Sequence, residues 1–444
     1  MRQSRIPQVS IFEFYGAHET GQHLKAISAR LDANPEILEL AGAELIGNTT
    51  SATGRKGMSV DSIVRAALLK QMMGLSYDEL AFYLADSFSY SSFARLSVPV
   101  SASALQANIG CLSASCWERI NGRVLACAAA QGLEKGRVVR IDSTVTETDV
   151  HPPSDSALLW DCVRVMVRLM GQLKDVLEPG LFQFRDRSRS AKKRAYQIDY
   201  ARGANKAALY KQLLAVTECT RADLLQGLSQ QSRVQQQLHY PKLAEQSWRI
   251  VALAERVIDQ TRRRVLDNEK VAAHEKVLSI FEPHTDLIVK GARDVQYGHK
   301  LNLTTGRSGL VLDVVIESGN PADSARLCPM IERQSAIYGR VPRQIAADGG
   351  YASQDNLARA KELGVKDVAF QKKRGLKIED MVKSRWVYKK LSDFRAGIEG
   401  NISCLKRRYG LSRCTWKGEA GFASYVWAST VAYNLMVLAR LDTA

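Results

Sequence analysis

Asp142, Asp348, Arg395, Glu399 and Lys406 stand at spacings suited to phosphate chemistry. Wound as a helix at ~100° per residue, the stretch from Ser392 to Lys406 brings Arg395, Glu399 and Lys406 within roughly 40° of one another around the axis. Phe394, Ile398, Ile402, Leu405 and Tyr409 form an apolar stripe beside that row. An acid flanked by two bases at the edge of a buried face suits a metal and phosphate site better than a solvated surface. Asp142 interrupts an alternating stretch in which Val139, Ile141, Ser143 and Val145 face one way and Val138, Arg140 and Thr144 share its own face. Asp348 closes the short apolar run Gln344-Ile345-Ala346-Ala347, just before Gly349-Gly350. Singly, each acid has an ordinary role open to it: a hydrogen-bonded strand residue, an Asx turn, or, for Glu399, an i, i+4 surface partner of Arg395.

The elements that must position these residues follow from period and punctuation. Helical pieces are expected at 22–31 and 35–45, then a Gly, Ser and Thr-rich linker at 47–57. From Ser59, apolar residues Ile63, Ala66, Ala67, Leu69 and Met72 recur at helical spacing until Gly74. Ser76-Tyr77-Asp78-Glu79 reads as a capping box opening a helix through Leu84, and Ser101 opens another. Short helices joined by tight turns in a basic protein predict a helix-turn-helix-like DNA-binding unit, with a plain helical bundle as the alternative. A strand is expected at 137–145. Residues 156–274 return to helix, interrupted at Pro179-Gly180, by the basic segment 185–194, and by Gln-rich turns near 230–237. Strands at 297–303 and 309–316 read as a hairpin. A helix at 322–338, a strand at 344–347, a helix at 354–363, a strand at 367–370 and the helix of Glu399 complete the run.

That order matches an α/β ribonuclease H-like catalytic domain with a large helical insertion, preceded by an all-α, helix-turn-helix-like N-terminal domain. The expected boundaries are 1–55 for an N-terminal arm and linker and 56–132 for a helical DNA-binding domain. The catalytic domain takes 133–416, with its insertion at 155–280, and a C-terminal helix takes 417–444. In such a sheet the first and fourth strands are neighbours and the final helix packs across them, so Asp142, Asp348 and Glu399 converge. Converged carboxylates repel unless a cation neutralises them. Oxygen-only ligands with room for water and phosphate suit Mg2+, with Mn2+ as a substitute. Two such ions about 4 Å apart can clamp an in-line phosphoryl displacement. Glu147, Asp149, Asp155 and Asp355 are nearby acids that compete for these roles.

Composition narrows the partner. The 444 residues carry 62 Lys and Arg against 46 Asp and Glu, a net charge of +16 that points to a polyanion, nucleic acid first. Arg185, Arg187, Arg189, Lys192, Lys193 and Arg194 form one basic run, opposed by Asp186 and followed by Tyr196 and Tyr200. Lys372, Lys373 and Arg374 begin a second, and Lys406, Arg407 and Arg408 extend it. Both are expected to bind DNA phosphates in a salt-sensitive way. Trp416 is open to base stacking or to plain packing. The stretch 157–177 is the best candidate for a membrane span, but Asp161, Arg164, Arg168 and Lys174 break it. No apolar signal core follows Met1-Arg2-Gln3-Ser4-Arg5, and the eight cysteines include no Cys-x-x-Cys pair. The expectation is a cytoplasmic, nucleoid-associated protein with no membrane partner.

Several motifs in order carry a resemblance. Arg395, Glu399 and Lys406 stand at the spacing of the signature Tyr-x2-Arg-x3-Glu-x6-Lys, with Ser392 in the tyrosine position. Gly74-Leu75-Ser76-Tyr77-Asp78-Glu79-Leu80, Arg140-Ile141-Asp142-Ser143-Thr144, Tyr297-Gly298-His299-Lys300, Ala347-Asp348-Gly349-Gly350-Tyr351 and Ala432-Tyr433-Asn434-Leu435 add to it. Over about residues 57–440 the chain resembles insertion-sequence transposases of the DDE type. The phrase from Thr146 through His151-Pro152-Pro153-Ser154-Asp155-Ser156 to Leu159 is most like the ISNCY group. The resemblance implies metal-dependent cleavage at the element's ends and attack of the freed 3′-hydroxyl on target DNA. It makes Asp142, Asp348 and Glu399 the catalytic metal ligands, and gives Arg395, Lys406, His299 and Lys300 contacts to DNA. Terminal repeats and target DNA are the implied partners, with a homodimer favoured by synapsis of two ends. A transposase-derived regulator that only binds DNA, or a magnesium-dependent nuclease on the same fold, are the alternatives.

Overall fold

The computed structural model describes residues 17–47, 57–234, 241–290 and 294–443. Much of the expected linker at 47–57 and the opening of the expected arm therefore lie outside the described residues. The chain divides into two compact units, Met1–Asp149 with His299–Ala444, and Val150–Gly298.

The first unit opens with seven helices: α1 (Glu19–Asp32), α2 (Glu36–Gly47), α3 (Val60–Met73), α4 (Tyr77–Asp86), α5 (Phe88–Ala94), α6 (Ala102–Ile109) and α7 (Ala114–Ala130). Their ends lie where the punctuation placed them. Ser59 caps α3 through Ser62 N–H, and Gly74 ends it at φ 65°, a left-handed cap that suits a residue without Cβ. At α4 the Ser76 hydroxyl accepts from Glu79 N–H at 3.1 Å while the Glu79 carboxylate accepts from Ser76 N–H at 2.7 Å. Nearly every residue of α3 is buried, Arg65 included. Its guanidinium is satisfied by Asp61 at 2.5 Å, Ser28 at 2.8 Å and Asp32 at 3.0 Å, and Arg95 of the turn after α5 grips the same two carboxylates. This network ties α1, α3 and α5 together. It also affects the DNA-binding expectation for 56–132. The cations between residues 57 and 112 are Arg65, Lys70 and Arg95, and all three are turned inward. The exposed cations of this helical layer lie on other helices, Lys25 on α1 and Arg119 and Arg123 on α7, the last two paired with Glu44 and Glu36.

The sheet follows, with β1 (Val138–Glu147) entering it. In the second unit come α8 (Asp155–Val176), α9 (Ser188–Tyr200), α10 (Gly203–Val234), α11 (Pro241–Thr261), β2 (Asp286–Lys290) and the opening of β3 (Asp294–Gly306). There α8 packs against α9, α10 and α11 around Leu159, Cys162, Met166 and Leu173. Most of the basic segment expected to interrupt helix is α9 itself, since Ala191, Ala195 and Ile198 give it one buried face. Likewise α10 runs through Gln230 to Val234, and 235–240 lies outside the described residues. The strand β2 was not anticipated; it pairs antiparallel with β3 from Asp286↔Gly298 to Lys290↔Asp294.

Back in the first unit, the chain completes β3 and adds β4 (Val311–Ile316), α12 (Leu327–Tyr338), β5 (Gln344–Ala347), α13 (Gln354–Glu362) and β6 (Asp367–Phe370). The helices α14 (Ile378–Met381), α15 (Arg385–Arg408) and α16 (Gly418–Thr443) end it. The sheet is mixed. Between β3 and β5 lies β1, parallel to β5; β6 continues in parallel beyond β5, and β4 pairs antiparallel with β3. Across β1, β5 and β6 lies α15, while α16 packs on α1, α3 and α7 and touches β4. Among the described residues this last helix, not 157–177, is the one long and apolar enough to cross a membrane, yet 89% of its most apolar stretch is buried inside the fold. Asn434 fixes it to the sheet by accepting from Val311 N–H at 2.8 Å and donating to Val311 C=O at 2.7 Å.

Lys70 generates a stability prediction. It lies buried on α3 with its ammonium 4.7 Å from the Tyr77 ring, and burial pulls its pKa from 10.5 to about 8 against weaker opposing pulls from Cys414 and Glu79. Between pH 8 and about 10 the unfolded chain therefore holds a proton that the fold lacks, so stability rises with pH in that window. Lys70→Met removes this dependence. Its stability relative to the unsubstituted protein is expected to fall by about 1–2 kcal/mol between pH 7.5 and 9.5, read by denaturant unfolding at the two pH values. A difference that ignores pH would contradict the burial.

Candidate active site

Asp142 and Asp348 reach one corner because β1 and β5 run parallel and in register. The final pair of their ladder is Ile141↔Ala347, so each acid is the next residue along its strand. Short backbone bonds fix one oxygen of each: Asp142 Oδ1 accepts from Ser143 N–H at 2.8 Å and Asp348 Oδ2 from Gly350 N–H at 3.3 Å. The Asx turn at Asp348 is thus real, and it leaves the other oxygen available.

That other oxygen meets a guanidinium. Arg395 Nη2 donates to Asp142 Oδ2 at 2.9 Å and lies 3.2 Å from Asp348 Oδ1, while Nη1 donates to Glu399 Oε1 at 2.8 Å. One buried cation joins acids from two strands and a helix. Burying an arginine without partners costs several kcal/mol, and converged carboxylates without a cation repel; each side offsets the other. The guanidinium fork suits this because its N–H groups diverge in a plane, as a lysine's single point charge does not. The three acids differ in depth, with side-chain exposure of 14% for Asp142, 36% for Asp348 and 66% for Glu399. Sequence periodicity placed Arg395 in a polar row at the edge of the buried stripe. Instead it sits in the buried stripe of α15 with Val387, Leu391, Ile398 and Leu405, so its nearest anions are the acids of its own site.

The roll of α15 is set by Arg140, a residue whose role the sequence did not disclose. From β1 its guanidinium donates to Thr305 Oγ1 at 2.8 Å, to Phe394 C=O at 2.8 Å and to Asn401 Oδ1 at 2.5 Å, and it lies 4.7 Å from the Phe394 ring. It passes so close to Gly397 that any side chain there would overlap it. A basic residue inside a strand, matched by a glycine inside a long helix, was the available signal.

The expected basic contacts separate into groups. Lys406 and Arg407 join Asp142, Glu399, Ile402 and Ser403 around an open depression of about 420 Å³, with Arg408 exposed on the same helix. Lys372, Lys373 and Arg374 are exposed, and Lys372 passes over Gly349, where a Cβ would stand 2.6 Å from its own. His299 and Lys300 belong elsewhere. His299 is buried edge-on against Phe422, with ring centroids 4.7 Å apart. Lys300, also buried, binds Asp323 at 2.6 Å and Pro321 C=O at 2.7 Å, holding the turn beside Gly350. Opposite faces of β3 take these two side chains into the fold, away from the solvent expected for a DNA contact. Trp416 is half-buried and edge-on to Tyr425 at 5.7 Å, which answers its two readings in favour of packing. The Ser392 hydroxyl is buried without a hydrogen-bond partner. In the other unit Arg185, Arg189, Lys192 and Lys193 are exposed, while Arg187 pairs with Asp223 and Arg194 bonds Ser190 and Gln212.

Among the described residues, no three His, Cys, Asp or Glu side chains are arranged to hold a metal ion. The carboxylates of the corner close on Arg395. Their donor set is nonetheless all oxygen, the chemistry that Mg2+ and Mn2+ prefer. Tyr351 supports the corner from below: its hydroxyl donates to Asn302 Oδ1 at 2.7 Å, and burial, then Asp323 and Asp142, push its pKa well up, which keeps that proton in place.

Residues 257–435 match the family model of the transposase DDE domain. No curated protein and no solved structure matches the chain. The domain makes this an enzyme of the polynucleotidyl transferase and endonuclease class, acting in DNA transposition and recombination. The matched segment holds Asp348, Arg395, Glu399 and Lys406 but not Asp142, which joins them only through the pairing of β1 with β5.

Two glycines of α15 give a paired prediction. Gly→Ala inside a helix ordinarily stabilises by roughly 0.5–1 kcal/mol. Gly400 has nothing within 4 Å of the added Cβ, so Gly400→Ala is expected to hold or raise the melting temperature. Gly397→Ala, facing the Arg140 guanidinium, is expected to lose about 1–3 kcal/mol by overpacking. Equal melting temperatures for the two variants would remove Arg140 as the strut.

Proposed function

We propose that this enzyme is a DDE transposase of an insertion sequence, most like the ISNCY group, that cuts DNA at the element's ends and joins the freed 3′-hydroxyl to target DNA. Asp142, Asp348 and Glu399 are its catalytic carboxylates. The observation that carries the reading is their meeting at one cation, the two Asp just past the last pair of the parallel β1–β5 ladder, beside an open depression rimmed by Lys406 and Arg407. A ribonuclease H-like catalytic domain, interrupted by the helical unit that follows β1, fits that arrangement.

Asp142, Asp348 and Glu399 would hold a divalent ion, Mg2+ or Mn2+, which would supply Lewis-acid activation for phosphoryl transfer. The chain's own residues do the rest. Ser143 and Gly350 N–H groups hold the inner oxygens of Asp142 and Asp348 and so orient the outer ones toward the centre of the site. Lys406 and Arg407 take the phosphates of the strand lying in the depression, and Arg408, Lys372, Lys373 and Arg374 continue the grip. Arg185, Arg189, Lys192 and Lys193 offer a second, sequence-independent grip on DNA. Arg187 and Arg194 shape that surface, each being tied inside its own unit. Terminal repeats and target DNA are the partners, two copies of the chain bring two ends together, and the reaction takes place on nucleoid DNA in the cytoplasm.

Asp142→Asn and Glu399→Gln test the assignment. Each is expected to lower cleavage of element-end DNA by about 10³-fold or more, the effect of losing several kcal/mol of transition-state stabilisation, with DNA binding by gel shift largely retained. Full cleavage by either purified variant would remove that residue from the site.

A further inference from the structure

We infer that Arg395 is the resting occupant of the cation position, that it competes with the divalent ion for the same carboxylate oxygens, and that a DNA phosphate draws it off. The inference rests on the active-site reading above and concerns how that site is loaded. Asp142 Oδ2, Asp348 Oδ1 and Glu399 Oε1 are the outward oxygens of the three acids, and all lie within 3.2 Å of the Arg395 guanidinium. A guanidinium and a divalent ion cannot share that centre, since both need those oxygens and both are cations.

The resting pose is also incomplete. Arg395 Nε is buried and has no hydrogen-bond partner, so the clamp leaves one donor of the head unsatisfied. A phosphate can accept from Nε and an Nη together in the bidentate manner that guanidinium prefers. The depression beside Glu399, with Lys406 and Arg407 on its rim, is where such a phosphate has both room and countercharge. A phosphate seated there gives the head a better-satisfied alternative and takes the Arg395 charge away from the three carboxylates. DNA binding and metal binding then favour each other, and by linkage the coupling is reciprocal. The device keeps the site from being armed before DNA is in place.

The test is the affinity of the full-length protein for Mn2+ alone, measured by calorimetry or electron paramagnetic resonance, with and without a short mixed-sequence DNA duplex. Without DNA, Arg395→Gln is expected to bind Mn2+ about 10-fold or more tightly than the unsubstituted protein, within the usual range of coupling. The duplex tightens Mn2+ binding by the unsubstituted protein and does little for Arg395→Gln. Should Arg395→Gln fail to fold without metal, Arg395→Lys decides, because a lysine keeps the charge but cannot bridge all three acids. It too should bind Mn2+ more tightly. Equal or weaker Mn2+ binding by the foldable variant overturns the inference. Asp142→Asn separates the two levels: if it abolishes Mn2+ binding while the Arg395 variants bind no more tightly, only the competition fails. If Mn2+ binding ignores Asp142, the ion sits elsewhere and the active-site reading fails with it.

Discussion

Everything in the carboxylate corner depends on one electrostatic constraint: three carboxylates from separate elements cannot be packed together without a cation. Arg395 meets that constraint in the resting protein, and the surrounding architecture serves to deliver it. Parallel pairing of β1 with β5 sets Asp142 beside Asp348. The helix α15 crosses both strands, and Arg140 fixes its roll through hydrogen bonds to Thr305, Phe394 and Asn401. A rotation of α15 by one residue, about 100°, would carry Arg395 off the acids and break its ion pairs with Asp142 and Asp348. Gly397 therefore matters as much as the charged residues, because its missing side chain is what admits Arg140.

A second feature is where positive charge is absent. Around α3 the helical layer turns its cations into buried pairs, as Arg65 and Arg95 do with Asp32 and Asp61, while Lys25, Arg119 and Arg123 stay exposed on α1 and α7. Runs of neighbouring exposed basic residues stand on α15 and the turn after β6, and on α9 of the separate unit. A net charge of +16 is thus distributed unevenly, with part of the positive charge held in buried ion pairs.

Much of this was legible in the sequence where local physics decides. Ser59, Gly74 and the Ser76–Glu79 box marked helix ends because capping is a contact between near neighbours. The order of acids along strand, strand and helix was legible for a similar reason, since period and punctuation located the three elements. Failures came where tertiary contacts override periodicity. Arg395 lies in a buried stripe because distant acids compensate its charge, a fact that no helical wheel contains. His299 and Lys300 face inward because Phe422 and Asp323 await them. The apolar length of α16 reads as a membrane span by composition alone, and only its packing on α1, α3 and α7 gives it another reason to be apolar.

The central claim is that this corner both cuts and joins DNA. The most direct measurement is product analysis: purified protein, Mg2+, labelled DNA carrying the element's ends, and a supercoiled plasmid target, resolved for joined molecules. The account predicts labelled ends covalently joined to the plasmid, with the products disappearing when Asp142 is replaced by Asn. Ends that are bound but never cut, or cut and never joined, would contradict it.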